Sequence, residues 1–195
     1  RVRPRGVGLG VGCGAGDVPF APEAARRGPA LGRRSALASD VCHPMLSEAR
    51  RKIAARGFRS PIFEADALAL PLASDSLDLI TVAFGFRNLA SYQRGLEEML
   101  RVLKPGGVAA ILEFSQPPNR AFAALYGFFS TRVLPAIGGM ISGSPDAYSY
   151  LPESIRKFPG AEALASEMQR EGFSRVEFQR MTGGPVAPHL GRKPH

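Results

Sequence analysis

Short apolar runs alternate with stretches of helical spacing along most of this chain. VGLGV at residues 7–11 is a brief apolar alternation, weak as a strand because glycine has no side chain to pack. SALASD at 35–40 predicts a second strand, ending at Asp40. Pro44 stands where a first helical turn accepts proline, and residues 44–57 predict a helix closed by Gly57. Met45, Leu46, Ala49 and Ile53 form its expected apolar face. A third strand is expected over 60–67, ending near Asp66. The signal strengthens at 77–84, where LDLITVAF is the nearly continuous apolar run of a parallel strand buried on both faces. Residues 91–103 then predict a helix with Leu96, Met99, Leu100 and Leu103 at core spacing. Lys-Pro-Gly-Gly at 104–107 stops it, and 108–114 supply the next strand.

Strands alternating with helices in this way predict an α/β fold with an open, doubly wound, mostly parallel sheet. Residues 115–150 break the rhythm with prolines and an aromatic-rich helical segment, AFAALYGFF. Order returns in a helix over 154–170, with Ala161, Leu164, Ala165 and Met168 on one face. After Gly172, segments 173–181 and 183–191 predict a terminal strand pair. The economical organisation is a single domain over 1–195, with 115–150 as an inserted helical segment.

Composition narrows the class. The chain has 195 residues, 45% of them hydrophobic, which suits one domain with a core and excludes a disordered chain. No stretch reaches the length of an uncharged spanning helix. Two cysteines, Cys13 and Cys42, make no disulfide framework, and no signal-peptide core is present, so a cytoplasmic setting is expected. The formal net charge is +8, and the excess sits in residues 1–60, with 12 Lys/Arg against 4 Asp/Glu. Such a third attracts anionic lipid, nucleic acid or an acidic partner. No aromatic residues alternate with the arginines as base-stacking platforms would, so no nucleic-acid partner is expected.

The glycines at 12, 14 and 16 follow a strand and precede a helical stretch, the place where backbone turns tightly and approaches a ligand. A dinucleotide site is the obvious rival, yet strict G-x-G-x-x-G fails: counting from Gly10 it ends on Ala15, and from Gly12 on Asp17. Asp17 repels a pyrophosphate but can hold a cationic amino group. Asp40 ends the second strand, the usual position of a carboxylate that binds ribose hydroxyls, and Asp66–Ala67 end the third, beside a purine. Carboxylates after successive strands favour a nucleoside with a positive end. S-adenosylmethionine is such a molecule.

GCGAGD, DALALPL, AFGFRN, RVLKPGG and ILEFS, with YSYLPESIRKFPG and MTGGPVAPHLGRK later, resemble the class I methyltransferases of quinone biosynthesis over roughly 7–195. The resemblance implies a Rossmann-like fold with a seven-stranded sheet and an antiparallel C-terminal strand. It implies S-adenosylmethionine as cofactor, held by Gly12, Gly14, Ala15, Gly16, Asp17, Asp40, Asp66, Ala67 and Ala83, with no metal. A prenylated quinol, demethylmenaquinol or 2-methoxy-6-polyprenyl-1,4-benzoquinol, is the implied acceptor of the methyl group. Another small hydrophobic acceptor such as a sterol or phenol is the alternative. The implied catalytic residues are Arg87, for a developing phenolate, with Asn88 and Asp66; His189 is a further candidate base. Ala15, Ala83 and Gly10 depart from common family usage, and Pro185 and Pro188 interrupt a normally hydrophobic strand. Family members carry helices ahead of the glycine loop, so the chain, which opens on Arg1, is expected to be N-terminally incomplete. Segment 115–150 is the expected lid and prenyl groove, and its apolar residues with the basic third suggest peripheral contact with the inner face of the plasma membrane. A homodimer is a further expectation.

Overall fold

A computed structural model describes residues 6–14, 35–55, 61–119, 127 and 153–195. The expectations for Ala15, Gly16, Asp17 and almost all of the 115–150 insertion lie outside these residues. Seven strands form one sheet: β1 (Val7–Val11), β2 (Ser35–Asp40), β3 (Ile62–Glu64), β4 (Leu77–Ala83), β5 (Leu103–Phe114), β6 (Ser174–Phe178) and β7 (Val186–Arg192). Their order is β3-β2-β1-β4-β5-β7-β6. All neighbours pair in parallel except β7, which runs antiparallel to both β5 and β6. This is the doubly wound sheet with an antiparallel strand near its C-terminal edge that the sequence predicts. The strand order reverses between β1 and β4, so a crevice opens there at the C-terminal ends of the strands.

Three helices follow from apolar spacing. Helix α1 (His43–Ala55) buries Leu46, Ala49 and Ile53 and packs beside β2 and β3. Met45, expected on that face, is instead 48% exposed. Helix α2 (Tyr92–Val102) is capped by the Ser91 hydroxyl, which accepts from the Arg94 N–H, and buries Leu96 and Met99 against the sheet. Helix α3 (Ala161–Arg170) buries Ala161, Leu164, Ala165 and Met168. The predicted 154–170 helix is therefore broken. Residues 153–157 are helical, but Pro159 disfavours helical backbone at Phe158, and Gly160 becomes the N-cap of α3.

Two other boundaries moved. Lys104–Gly107 belongs to β5: Leu77 faces Leu103 whereas Leu79 faces Val108, so the Pro-Gly-Gly segment is a bulge within the strand. A side chain on Gly107 would place its Cβ 2.8 Å from the Lys104 carbonyl oxygen. Pro188 sits inside β7 opposite Leu112, and its carbonyl accepts from Gln179 N just past the end of β6. Its missing donor falls where β6 has already ended, so the proline removes little from the ladder.

Candidate functional site

A cavity of about 740 Å³ lies over the ends of β1 to β4. Its floor is two glycines. Gly12 has φ +63°, a left-handed conformation, and a Cβ there would point at the Gly85 Cα 3.8 Å away. Gly14, at φ +52°, continues the loop and donates its N–H to Asp40 Oδ2 at 2.7 Å. Asp40 Oδ1 accepts from Cys42 N at 2.9 Å. The carboxylate at the end of β2 thus fixes the glycine loop on one side and the start of α1 on the other.

Asp66 caps its own turn: Oδ1 accepts from Leu68 N at 2.9 Å, and its carbonyl from Ala69 N at 3.1 Å. The loop beyond it is held from α2. Glu98 Oε1 accepts from Leu70 N at 2.6 Å, and Arg101 donates to the Leu70 and Leu72 carbonyls at 3.1 and 2.8 Å. Hydrogen bonding with Arg101 is the first cause that holds the Glu98 carboxyl below its ordinary range. Asp66, Ala67, Ala83 and Asn88 all line the cavity, together with Gly12, Gly14 and Asp40. Asp40 and Asp66 are the charged residues among the described lining; the other walls are largely apolar, including Val41, Met45, Leu68, Phe84, Phe86 and Leu89.

Two sequence expectations need correction. Arg87 does not point its guanidinium at this cavity. Its Nη1 donates to Glu113 Oε1 at 2.9 Å and to the Phe84 carbonyl, and Nε donates to Ser154 Oγ at 3.4 Å. Its own backbone N–H donates to Glu113 Oε2 at 3.2 Å. Only 9% of the Arg87 side chain is exposed, and none of Glu113's. A buried carboxylate on β5 has captured the arginine, which makes it an anchor of the turn after β4 rather than a group facing a phenolate. His189 is also no base at the cleft. It is 2% exposed in β7, stacks on Phe178 with ring centroids 5.3 Å apart, and has Nε2 2.9 Å from the Ala161 carbonyl oxygen. Desolvation by burial pushes its pKa below the ordinary value.

The anchor serves a strained residue. Phe84 has φ +55°, and left-handed backbone costs a non-glycine residue about 1–2 kcal/mol. Its N–H donates to the Leu112 carbonyl at 2.8 Å and its carbonyl is taken by Arg87. Sequence reasoning passed over both Phe84 and Glu113. A lone Glu in the apolar run VAAILEF was the available signal for a buried partner, whereas Gly85 next door concealed the conformation of Phe84. Cys13, also on the cavity wall, is 4% exposed, and burial pushes its thiol up to about 11. It is a packing residue, not a nucleophile.

These residues fit an adenosyl sulfonium. The glycine floor leaves room for backbone contact, a carboxylate already oriented by two N–H groups sits where a ribose diol would be read, and the charged residues of the described lining are both carboxylates. A pyrophosphate finds no cation among the described lining residues.

Comparison with known proteins gives the same answer. The model of the ubiE/COQ5 methyltransferase family matches residues 3–193. A demethylmenaquinone methyltransferase of Thermus thermophilus is 49% identical over 158 residues, covering 81% of this chain and 71% of its own. The Deinococcus radiodurans protein of the same name is 43% identical over 190 residues, covering 97% and 76%. A ubiquinone/menaquinone biosynthesis C-methyltransferase of Idiomarina loihiensis is 40% identical over 187 residues, covering 95% and 73%. Among solved structures, a SAM-dependent methyltransferase from Aquifex aeolicus superposes with a TM-score of 0.68 at 21% identity, over 99% of this chain and 85% of that one.

Proposed function

We infer the reaction from one premise: the chain belongs to the ubiE/COQ5 methyltransferase family, and it is a class I methyltransferase that uses S-adenosylmethionine. Its activity is of the menaquinone/ubiquinone type. The acceptor we propose is the ring carbon of a prenylated quinol, demethylmenaquinol or its 2-methoxy-6-polyprenyl-1,4-benzoquinol counterpart. One observation carries this reading: the cleft pairs a carboxylate end, at β2 and β3, with an uncharged aromatic and aliphatic end at β4. The first suits a cationic donor and the second a neutral, apolar ring.

When bound, S-adenosylmethionine would supply a sulfonium methyl group to the ring carbon and leave as S-adenosylhomocysteine, the ring carbon then giving up its proton. The protein's share is alignment and charge. Asp40 orients the ribose, and Gly12 and Gly14 bring backbone close to the donor. Asp66 and Ala67 flank the base. Asn88, at the end of the 3-10 turn 86–88, faces the same cavity and is placed to orient a ring hydroxyl. Asp66, at the donor end of the cleft, keeps its exposed carboxylate for the nucleoside, and the ring proton leaves to water. Arg87 contributes by holding the turn.

Calorimetric titration with S-adenosylmethionine, S-adenosylhomocysteine and NAD tests the donor site, and methylation assays on demethylmenaquinol, the benzoquinol and a sterol test the acceptor. Binding of both sulfur nucleosides but not NAD, with turnover on a prenylated quinol, is expected. Turnover on the sterol alone would overturn the acceptor reading.

A further inference from the structure

We propose that Phe84 is the platform on which the acceptor's aromatic ring lies, and that it is a specificity-determining residue of the methyl-transfer site. This rests on the quinol reading above and names the residue that would enforce it. Four non-glycine residues among those described have positive φ: Asp75, Phe84, Arg175 and Thr182. Phe84 is the apolar one, and it lines the cleft. A bulky residue persists in left-handed backbone only where its surroundings over-determine it, and such residues cluster at ligand clamps.

The surroundings here are costly. A largely buried ion pair, Glu113–Arg87, delivers Arg87 Nη1 to the Phe84 carbonyl, and the Leu112 carbonyl takes the Phe84 N–H. Glu113 Oε1 also accepts from Phe114 N at 2.8 Å. A buried ion pair is a poor source of net stability, because desolvation offsets its attraction. It is a good means of fixing one backbone geometry.

That geometry leaves a phenyl ring 37% exposed at the end of β4. Phe114, from the end of β5, backs it with ring centroids 4.8 Å apart, and the Arg87 guanidinium lies 5.1 Å from the Phe114 ring centre. The two rings are tilted by 47°, so Phe84 is backed on one side and remains partly exposed beside the cleft. Across the reversal point between β1 and β4, the carboxylates Asp40 and Asp66 occupy the other half of the cleft. An electron-rich ring stacked on Phe84 would meet a donor held at Asp40 from the end of the cleft whose described lining is uncharged. Aromatic pairs of this kind favour offset stacking, which also restricts the ring's rotation.

The test uses binding as well as turnover. Wild type, Phe84→Gly, Phe84→Leu and Phe84→Tyr are compared by thermal melting, by calorimetric affinity for S-adenosylhomocysteine, and by affinity for 1,4-naphthalenediol kept reduced, with S-adenosylhomocysteine present. Glycine relieves the strained φ, so the Gly variant is expected to melt near wild type and bind S-adenosylhomocysteine normally, yet bind the diol about tenfold more weakly. The Leu variant is expected to lose affinity for the diol too, and the Tyr variant to recover it. Unchanged diol affinity in both Gly and Leu variants would overturn the platform while leaving the quinol reading intact. Parallel loss of melting temperature and S-adenosylhomocysteine affinity in the Gly variant would overturn it by making Phe84 structural. A wild-type protein that binds S-adenosylhomocysteine but no aromatic diol would remove the quinol reading and the platform together.

Discussion

Asp40 serves two backbone donors and, in the proposed complex, a ribose. Its replacement by Ala removes an ionised acceptor from the N–H groups of Gly14 and Cys42, bonds of the kind worth about 1.5–3 kcal/mol each. Affinity for S-adenosylhomocysteine, measured by calorimetry, should fall at least about tenfold; an unchanged affinity would place the ribose elsewhere. Glu113 behaves differently. Glu113→Gln leaves Arg87 buried without its counter-charge and should destabilise the fold by about 3–5 kcal/mol in urea unfolding. His189 adds a pH dependence. Burial lowers its folded pKa, so the unfolded chain binds the proton first as pH falls. Stability is then full above the ordinary histidine value near 6.5 and declines as the pH drops below it. The urea midpoint at pH 5.5 should lie below that at pH 7.5, by less in His189→Gln. The acidic residues after β2 and β3 were legible in the sequence because each follows a strand, and both line the cleft. The partners of Arg87 were not legible, because a motif position says nothing about which carboxylate a guanidinium reaches first.

At the scale of elements, helix α2 ties the site to the core. Leu96 and Met99 anchor one face in the main apolar cluster, while Glu98 and Arg101 hold the loop that follows Asp66. Leu96→Ala should cost about 2–5 kcal/mol of stability, read from denaturant unfolding, because a fully buried leucine leaves a cavity. Arg101→Gln should instead weaken S-adenosylhomocysteine binding more than it lowers the melting temperature, since its bonds act on the loop. Strands β2 and β4 and helix α2 were readable because their apolar periods are simple. The break at Pro159 and the bulge at Pro105–Gly107 were not read as such. In both places proline and glycine interrupt hydrogen bonding without ending the packed path of the chain, so the tertiary contacts decide the outcome.

For the whole molecule, the mostly parallel, doubly wound sheet followed from alternation of strand and helix, and its seven strands with an antiparallel C-terminal one from the family resemblance; the order β3-β2-β1-β4-β5-β7-β6 is what the structure adds. Among the described residues no helix is long and apolar enough to cross a membrane. We propose instead a salt-sensitive surface attachment, driven by the +8 formal charge. Co-sedimentation with vesicles containing phosphatidylglycerol should fall steeply between low and high salt, and a salt-independent result would remove this idea. The interior strand β1 has one more consequence. β1 lies between β2 and β4, and Val7 N reaches Asp78 Oδ2 across 71 positions of sequence. During synthesis β1 therefore waits, with one edge unpaired, until β4 has left the ribosome. A long, branched apolar strand in that interval would invite pairing with other nascent chains. VGLGV is short and glycine-interrupted, and so makes a poor template for such aggregates. The feature that weakens β1 as a sequence signal protects the chain while it is being made.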